Sequence, residues 1–135
     1  MAYKIQEIEG IGPSYGAKLE AAGISTTEKL LEMCATPKGR SDLSAATGLS
    51  ASMILKWTNM ADLMRISGVG EEYSELLEAA GVDTVKELRN RNAANLADKL
   101  AEINESKKLT RRVPNASQVE KWVEQAKSLP PIITY

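Results

Sequence analysis

Apolar residues along this chain recur at intervals of three and four, the spacing that lines one face of an α-helix. Strict apolar–polar alternation is scarce, and β-branched residues cluster mainly in Ile132-Ile133-Thr134-Tyr135. Ala, Leu, Glu and Lys dominate, all good helix formers. The pattern predicts an all-α fold. The first forty residues show the local grammar. Ile5 and Ile8, three apart, share a face of a short helix. Gly10 and Gly12 flank the apolar Ile11; two glycines so close permit positive φ and a sharp reversal, with Ile11 turned inward as an anchor. Pro13 suits the first position of the next helix, where a missing N–H costs nothing. Tyr15, Leu19 and Ala22 continue that helix, Gly23 closes it, and Ile24 packs back. Ser25 with Glu28 reads as a capping box for a further helix over 26–35.

The same pattern returns 58 residues later. IEGIGPSYGAKLEAAGISTTEKL at 8–30 aligns with ISGVGEEYSELLEAAGVDTVKEL at 66–88, and eleven of the 23 positions are identical. Asp83 then takes the place of the Ser25 cap. A second match, SASMILKW at 50–57 with NASQVEKW at 115–122, is offset by 65, so seven extra residues fall between, around Glu105–Val113. A fainter echo lies inside the first half. Ile5, Gly10, Ile11 and Leu19 align with Leu43, Gly48, Leu49 and Trp57, and Gly12 becomes Ser50. The expected architecture is two related halves, 1–65 and 66–135. It comprises four hairpin units, two of them degenerate, packed as one compact domain. Ile5, Ile8, Ile11, Leu19, Ile24, Leu30, Ile54, Trp57 and their second-copy partners should form one shared core. Pro130-Pro131 should stop the last helix and let the tail IITY lie on the body.

Composition narrows the function. Of 135 residues, 43% are hydrophobic and 26% charged, the mix of an ordinary globular protein. Net charge is -1, so no broad positive field surrounds the molecule. The absence of His removes the usual general base and the commonest metal ligand, and with it Ser-His or Cys-His nucleophile activation. The single Cys34 excludes an internal disulfide and a Cys-rich zinc site, and reads as a small buried hydrophobe. No GxxxxGK[ST] loop is present, and the carboxylates form no recognisable acid/base or metal spacing. These features argue against an enzyme and imply no cofactor. No apolar run approaches the ~18 residues a membrane span needs. MAYKIQEIEG lacks the apolar stretch of a signal peptide, so the expected location is the cytoplasm.

GIGPSYGAKL followed by EAAGISTTEKL resembles the helix-hairpin-helix motif of DNA repair and replication proteins. It is most similar to the hairpin of the X-family DNA polymerases, and more loosely to those of ligases and Holliday-junction proteins. The duplicated arrangement resembles a bacterial family of small tandem helix-hairpin-helix proteins, over nearly the whole chain. The physics of such a turn is simple. A Gly-x-Gly bend opening a helix presents unpaired backbone amides to one point, and the helix dipole adds to their field, which makes a phosphate site. The resemblance implies sequence-independent DNA binding, with backbone N–H donors at Gly10, Gly12, Ser14 and Tyr15 and a charge-assisted contact from Lys18. It also implies a K⁺ or Na⁺ ion on the main-chain carbonyls of Gln6, Ile8 and Ile11.

The second copy departs from this. Pro13-Ser14 becomes Glu71-Glu72 and Ala17-Lys18 becomes Glu75-Leu76. Carboxylates there suit the dipole but occupy the anion site and repel phosphate. The second hairpin therefore reads as structural or as a protein-binding surface, leaving the first as the phosphate candidate. Auxiliary basic contacts would come from Lys38, Arg40, Lys107, Lys108, Arg111 and Arg112; the plainer reading of each cluster is a solvated face. Trp57 and Trp122 read as core rather than as base-stacking platforms. Two expectations stand: a DNA-binding module acting through hairpin one, or a protein-interaction module that keeps the fold without the phosphate site.

Overall fold

The cap residues divide the chain into helices. Thr26, Thr36, Ser50, Thr84, Asn92 and Asn115 each accept, through a side-chain oxygen, the amide three residues on. Such caps satisfy one of the orphan donors at a helix start. They open α2 (Thr27–Cys34), α3 (Pro37–Thr47), α4 (Ala51–Leu63), α6 (Val85–Leu88), α7 (Ala93–Lys107) and α8 (Ala116–Ser128). The other two helices, α1 (Gly12–Ala21) and α5 (Glu71–Ala79), follow the glycine turns and have no side-chain cap. A 3-10 turn, Ile5–Glu7, precedes them all. The structure, a computed structural model, describes residues 3–135. Among the described residues there is no strand, only an isolated bridge between Lys4 and Thr26. The fold is all-α and compact.

The helix ends behave as their residues dictate. Gly23 and Gly81, both at φ +90°, close α1 and α5 in the same way. The Ile24 amide reaches the Leu19 carbonyl at 2.9 Å, and the Val82 amide reaches that of Leu77 at 2.9 Å. This is the six-residue closure that a left-handed glycine permits. The caps of α2 and α6 differ from expectation by one residue. Thr26 and Thr84 accept the amides of Lys29 and Glu87, whereas Ser25 and Asp83 do not cap. Ser25 instead gives its backbone carbonyl to the Ile5 amide at 2.9 Å, tying the 3-10 turn to the α1–α2 connection. Pro13 stands second in α1, not first, because Gly12 already belongs to the helix.

The apolar residues bury as expected but in two clusters rather than one. Ile5, Ile8, Ile11, Leu19, Ile24, Leu30, Ile54, Trp57 and Met64 belong to the first. Leu63, Ile66, Val69, Leu77, Val82, Leu88, Val119 and Trp122 belong to the second. The reason lies in α4. Successive helix residues point about 100° apart, so neighbouring Leu63 and Met64 serve opposite cores. Every residue from Trp57 to Met64 is buried, which makes the second half of α4 the central element. Its buried polar groups are all engaged. Thr58 Oγ1 donates to the Ile54 carbonyl, and Asp62 accepts the Val85 amide at 2.9 Å and Arg65 Nη1 at 2.8 Å. Asp62 thus joins α4 to the start of α6. In each half a Tyr packs on the Trp of the later helix: Tyr15–Trp57 at 5.4 Å and Tyr73–Trp122 at 5.1 Å between ring centroids. Both Trp residues are buried, so neither offers a face for base stacking.

After α8, Leu129 to Tyr135 leaves the second half and returns to the first. Ile132 and Ile133 pack on the first core, and the Thr134 amide donates to the Ala35 carbonyl at 2.8 Å.

Candidate nucleic-acid interface

The first glycine turn is built by two left-handed residues around a buried one. Gly10 takes φ +92° and Gly12 φ +62°, while Ile11 sinks into the core. A side chain at either glycine would strain the backbone. The inner wall at Gly10 is the Trp57 indole, whose Nε1 would lie 4.0 Å from an added Cβ; at Gly12 nothing lies within 4 Å. Gly10, Gly12, Pro13 and Ser14 are all exposed. The amides of Gly10, Gly12 and Ser14 have no hydrogen-bond acceptor among the described residues, and α1 carries no acidic residue in its first turn. Tyr15 is half-buried against Trp57, and Lys18, one turn on, is exposed without an ion-pair partner among the described residues. The five residues Gly10, Gly12, Ser14, Tyr15 and Lys18 therefore line one open helix start. Gly16 behind them is buried against the Gln6 side chain, 2.6 Å from where a Cβ would stand.

The carbonyls of Gln6, Ile8 and Ile11 follow one another from the 3-10 turn into α1. That of Ile8 accepts the Ile11 amide at 3.2 Å and keeps one lone pair.

The second turn differs in backbone as well as charge. Gly68 repeats the left-handed conformation at φ +93°, but Gly70 is extended at φ -102°. The Ser74 amide is taken by the Gly70 carbonyl at 2.9 Å. Glu71 and Glu72 occupy the first turn of α5. Glu72 does not fold back on its own helix; its Oε1 accepts the Arg111 amide at 3.1 Å, which pins the loop between α7 and α8.

The two turns meet through acids. Burial, followed by the charges of Glu9, Glu72 and Glu7, pushes the Glu71 carboxyl above its ordinary range, with Arg111 pulling the other way. Burial and Glu9 likewise raise Glu75, against the pull of Lys56. The residues just before the first glycine turn therefore face the start of α5. Glu7, Glu71, Glu72, Tyr3, Arg111 and Arg112 share one open depression between the halves. Nothing in the sequence spacing signals this meeting, because the partners are more than sixty residues apart.

The basic residues fall into three groups. Lys107, Lys108 and Arg112 are exposed at the end of α7 and in the following loop, with Lys108 left-handed at φ +52°. Arg111 is exposed but tied back to Glu72, and Lys38 pairs with Asp42 at 3.1 Å. Arg40 corrects the expectation of a surface contact: it is buried and donates to the carbonyls of Cys34, Ala35 and Thr134. Its position after Pro37 in a polar helix gave no sign of this. Cys34 is fully buried, and burial raises its thiol above the ordinary value. Among the described residues no three His, Cys, Asp or Glu side chains are grouped to hold a metal ion, and no helix is long and apolar enough to cross a membrane.

No solved structure matches this chain. Residues 9–129, from just before the first glycine turn to the end of α8, match the model of a family described as a domain of unknown function, DUF4332, and the chain belongs to that family.

Proposed function

We propose that this chain is a non-enzymatic, tandem helix-hairpin-helix module that grips DNA by its backbone, without reading bases, through the first glycine turn. One observation carries the reading: α1 opens on exposed amides at Gly10, Gly12 and Ser14 that no side chain caps, with Lys18 one turn away. Oriented amides and a helix dipole favour an anion there. Lys107, Lys108 and Arg112 supply further exposed positive charge. Glu9 stands beside the turn and works against phosphate, which keeps the binding weak and salt-sensitive. The test is a salt titration with single-stranded, duplex and branched DNA. The expected result is roughly micromolar affinity at low salt, falling with a slope of about -0.9 per phosphate neutralised. Gly12→Asp and Lys18→Glu should abolish binding and leave helicity intact, and Glu9→Gln should strengthen it. Equal binding by all four proteins would overturn the proposal.

A second reading, a protein-assembly module, is favoured by one feature: the carboxylates of Glu7, Glu9, Glu71, Glu72 and Glu75 gathered between the halves. A basic partner would relieve their repulsion. This reading expects no DNA retention at low salt, together with a partner whose binding is lost in Glu71→Gln/Glu72→Gln. Clear DNA binding without such a partner would exclude it.

A further inference from the structure

Leu129–Tyr135 has the features of a segment that docks as a separate unit. It contains no helix or strand, and Pro130 and Pro131, both exposed, have no amide to donate. Ile132 and Ile133 are only half-buried, and Tyr135 is 69% exposed. Yet its polar contacts with the first half are specific. The Thr134 amide and hydroxyl both reach the Ala35 carbonyl, at 2.8 and 3.3 Å. The Tyr135 hydroxyl donates to Asn59 Oδ1 at 3.1 Å.

Arg40 stands beneath this segment. Its guanidinium donates to the carbonyls of Cys34 at 2.9 Å and Ala35 at 3.3 Å, the last residue of α2 and its C-cap, where a cation is favoured by the helix dipole. Its other nitrogen donates to the Thr134 carbonyl at 2.8 Å, and the Tyr135 ring lies 5.8 Å from the guanidinium carbon. No carboxylate pairs with Arg40 among the described residues. A buried cation needs its donors filled, and the docked segment fills one and covers the group.

We infer that residues 129–135 form a detachable strap, latched by Arg40, whose release widens a groove between α2 and α4. Leu31, Ala61 and Arg65 line that groove from the body, and Leu129 and Ile132 form its strap-side wall. The inference is independent of any nucleic-acid contact at the first glycine turn. Segments with few buried contacts open well below the global unfolding energy, and this one runs from the second half back onto α2 and α4 of the first.

Amide hydrogen exchange of the full chain tests this. The Thr134 amide reports the strap. The Ile24 and Val82 amides, each bonded at 2.9 Å within its own half, report the cores. In the wild type Thr134 should be protected, but at least tenfold less than Ile24 and Val82. Arg40→Gln should lower Thr134 protection about tenfold further while the two core amides change less than twofold. Tyr135→Ala removes a mostly exposed ring and its hydrogen bond to Asn59 and leaves the core intact, so it keeps the test open if the Arg40 variant fails to fold; it should lower Thr134 protection severalfold. The strap is refuted if Thr134 exchanges at the rate of the core amides, if it is unprotected from the outset, or if Tyr135→Ala leaves it unchanged.

Discussion

Tyr135 shows how a single side chain can be mostly solvated and still titrate with its surroundings. Burial first, and then the charges of Asp83 and Asp62, hold its hydroxyl above the ordinary tyrosine value, with Arg40 opposing. Lys86 lies in the same small recess as Asp62 and the ring. The phenol donates to Asn59, and a phenolate cannot. The docked pKa is raised, so docking of the neutral ring is fully favoured below the ordinary value of about 10. That contribution is lost as pH rises through the docked value. Methyl NMR should therefore show the Ile132 and Ile133 signals moving toward disordered values above about pH 10. Tyr135→Phe, which lacks the titrating group, should show a weaker but pH-independent docking over the same range. An equal alkaline transition in both proteins would assign it elsewhere.

At the scale of the element, most of the architecture was legible because each helix start and stop is a local event. The glycines at 23 and 81, the turn at 10–12 and the packing of Ile24 follow from backbone sterics that neighbouring residues declare. Caps are legible only to within a residue. Ser25-Thr26-Thr27 offers three hydroxyls, and which one caps is decided by the Ile5 amide, which takes the Ser25 carbonyl from 20 residues away. Thr26→Ala should therefore cost about 1 kcal/mol in a denaturant titration, while Ser25→Ala should stay within about 0.5 kcal/mol, the range of a surface change. The reverse order would restore Ser25 as the cap. The amides at the start of α1 belong to the same legible class, since they depend on the glycines and on the lack of a capping side chain. Arg40 does not. Its burial depends on a segment 94 residues further along, and no local pattern announces such a contact.

Over the whole molecule, α4 decides what meets what. It divides the apolar residues between two cores, holds the start of α6 through Asp62, and lies against both the first glycine turn, through Trp57, and α5. The last of these brings carboxylates together. Glu71 and Glu75 have raised pKa values in the folded chain, so folding favours their protonated forms. The stability this gives is present below the ordinary glutamate value of about 4.3. It is lost as pH rises through the folded values, so at neutrality the cluster opposes the fold. Thermal melts should show Tm rising as pH is lowered from 7 toward 5, and rising at pH 7 as salt screens the repulsion. Glu75→Gln should raise Tm at pH 7 and flatten both trends, because it removes a charge that Glu9 and Glu71 oppose while Lys56 alone draws it the other way. A lower Tm for Glu75→Gln, with the slopes unchanged, would mean that Lys56 outweighs the acids and that the two halves are joined there by attraction.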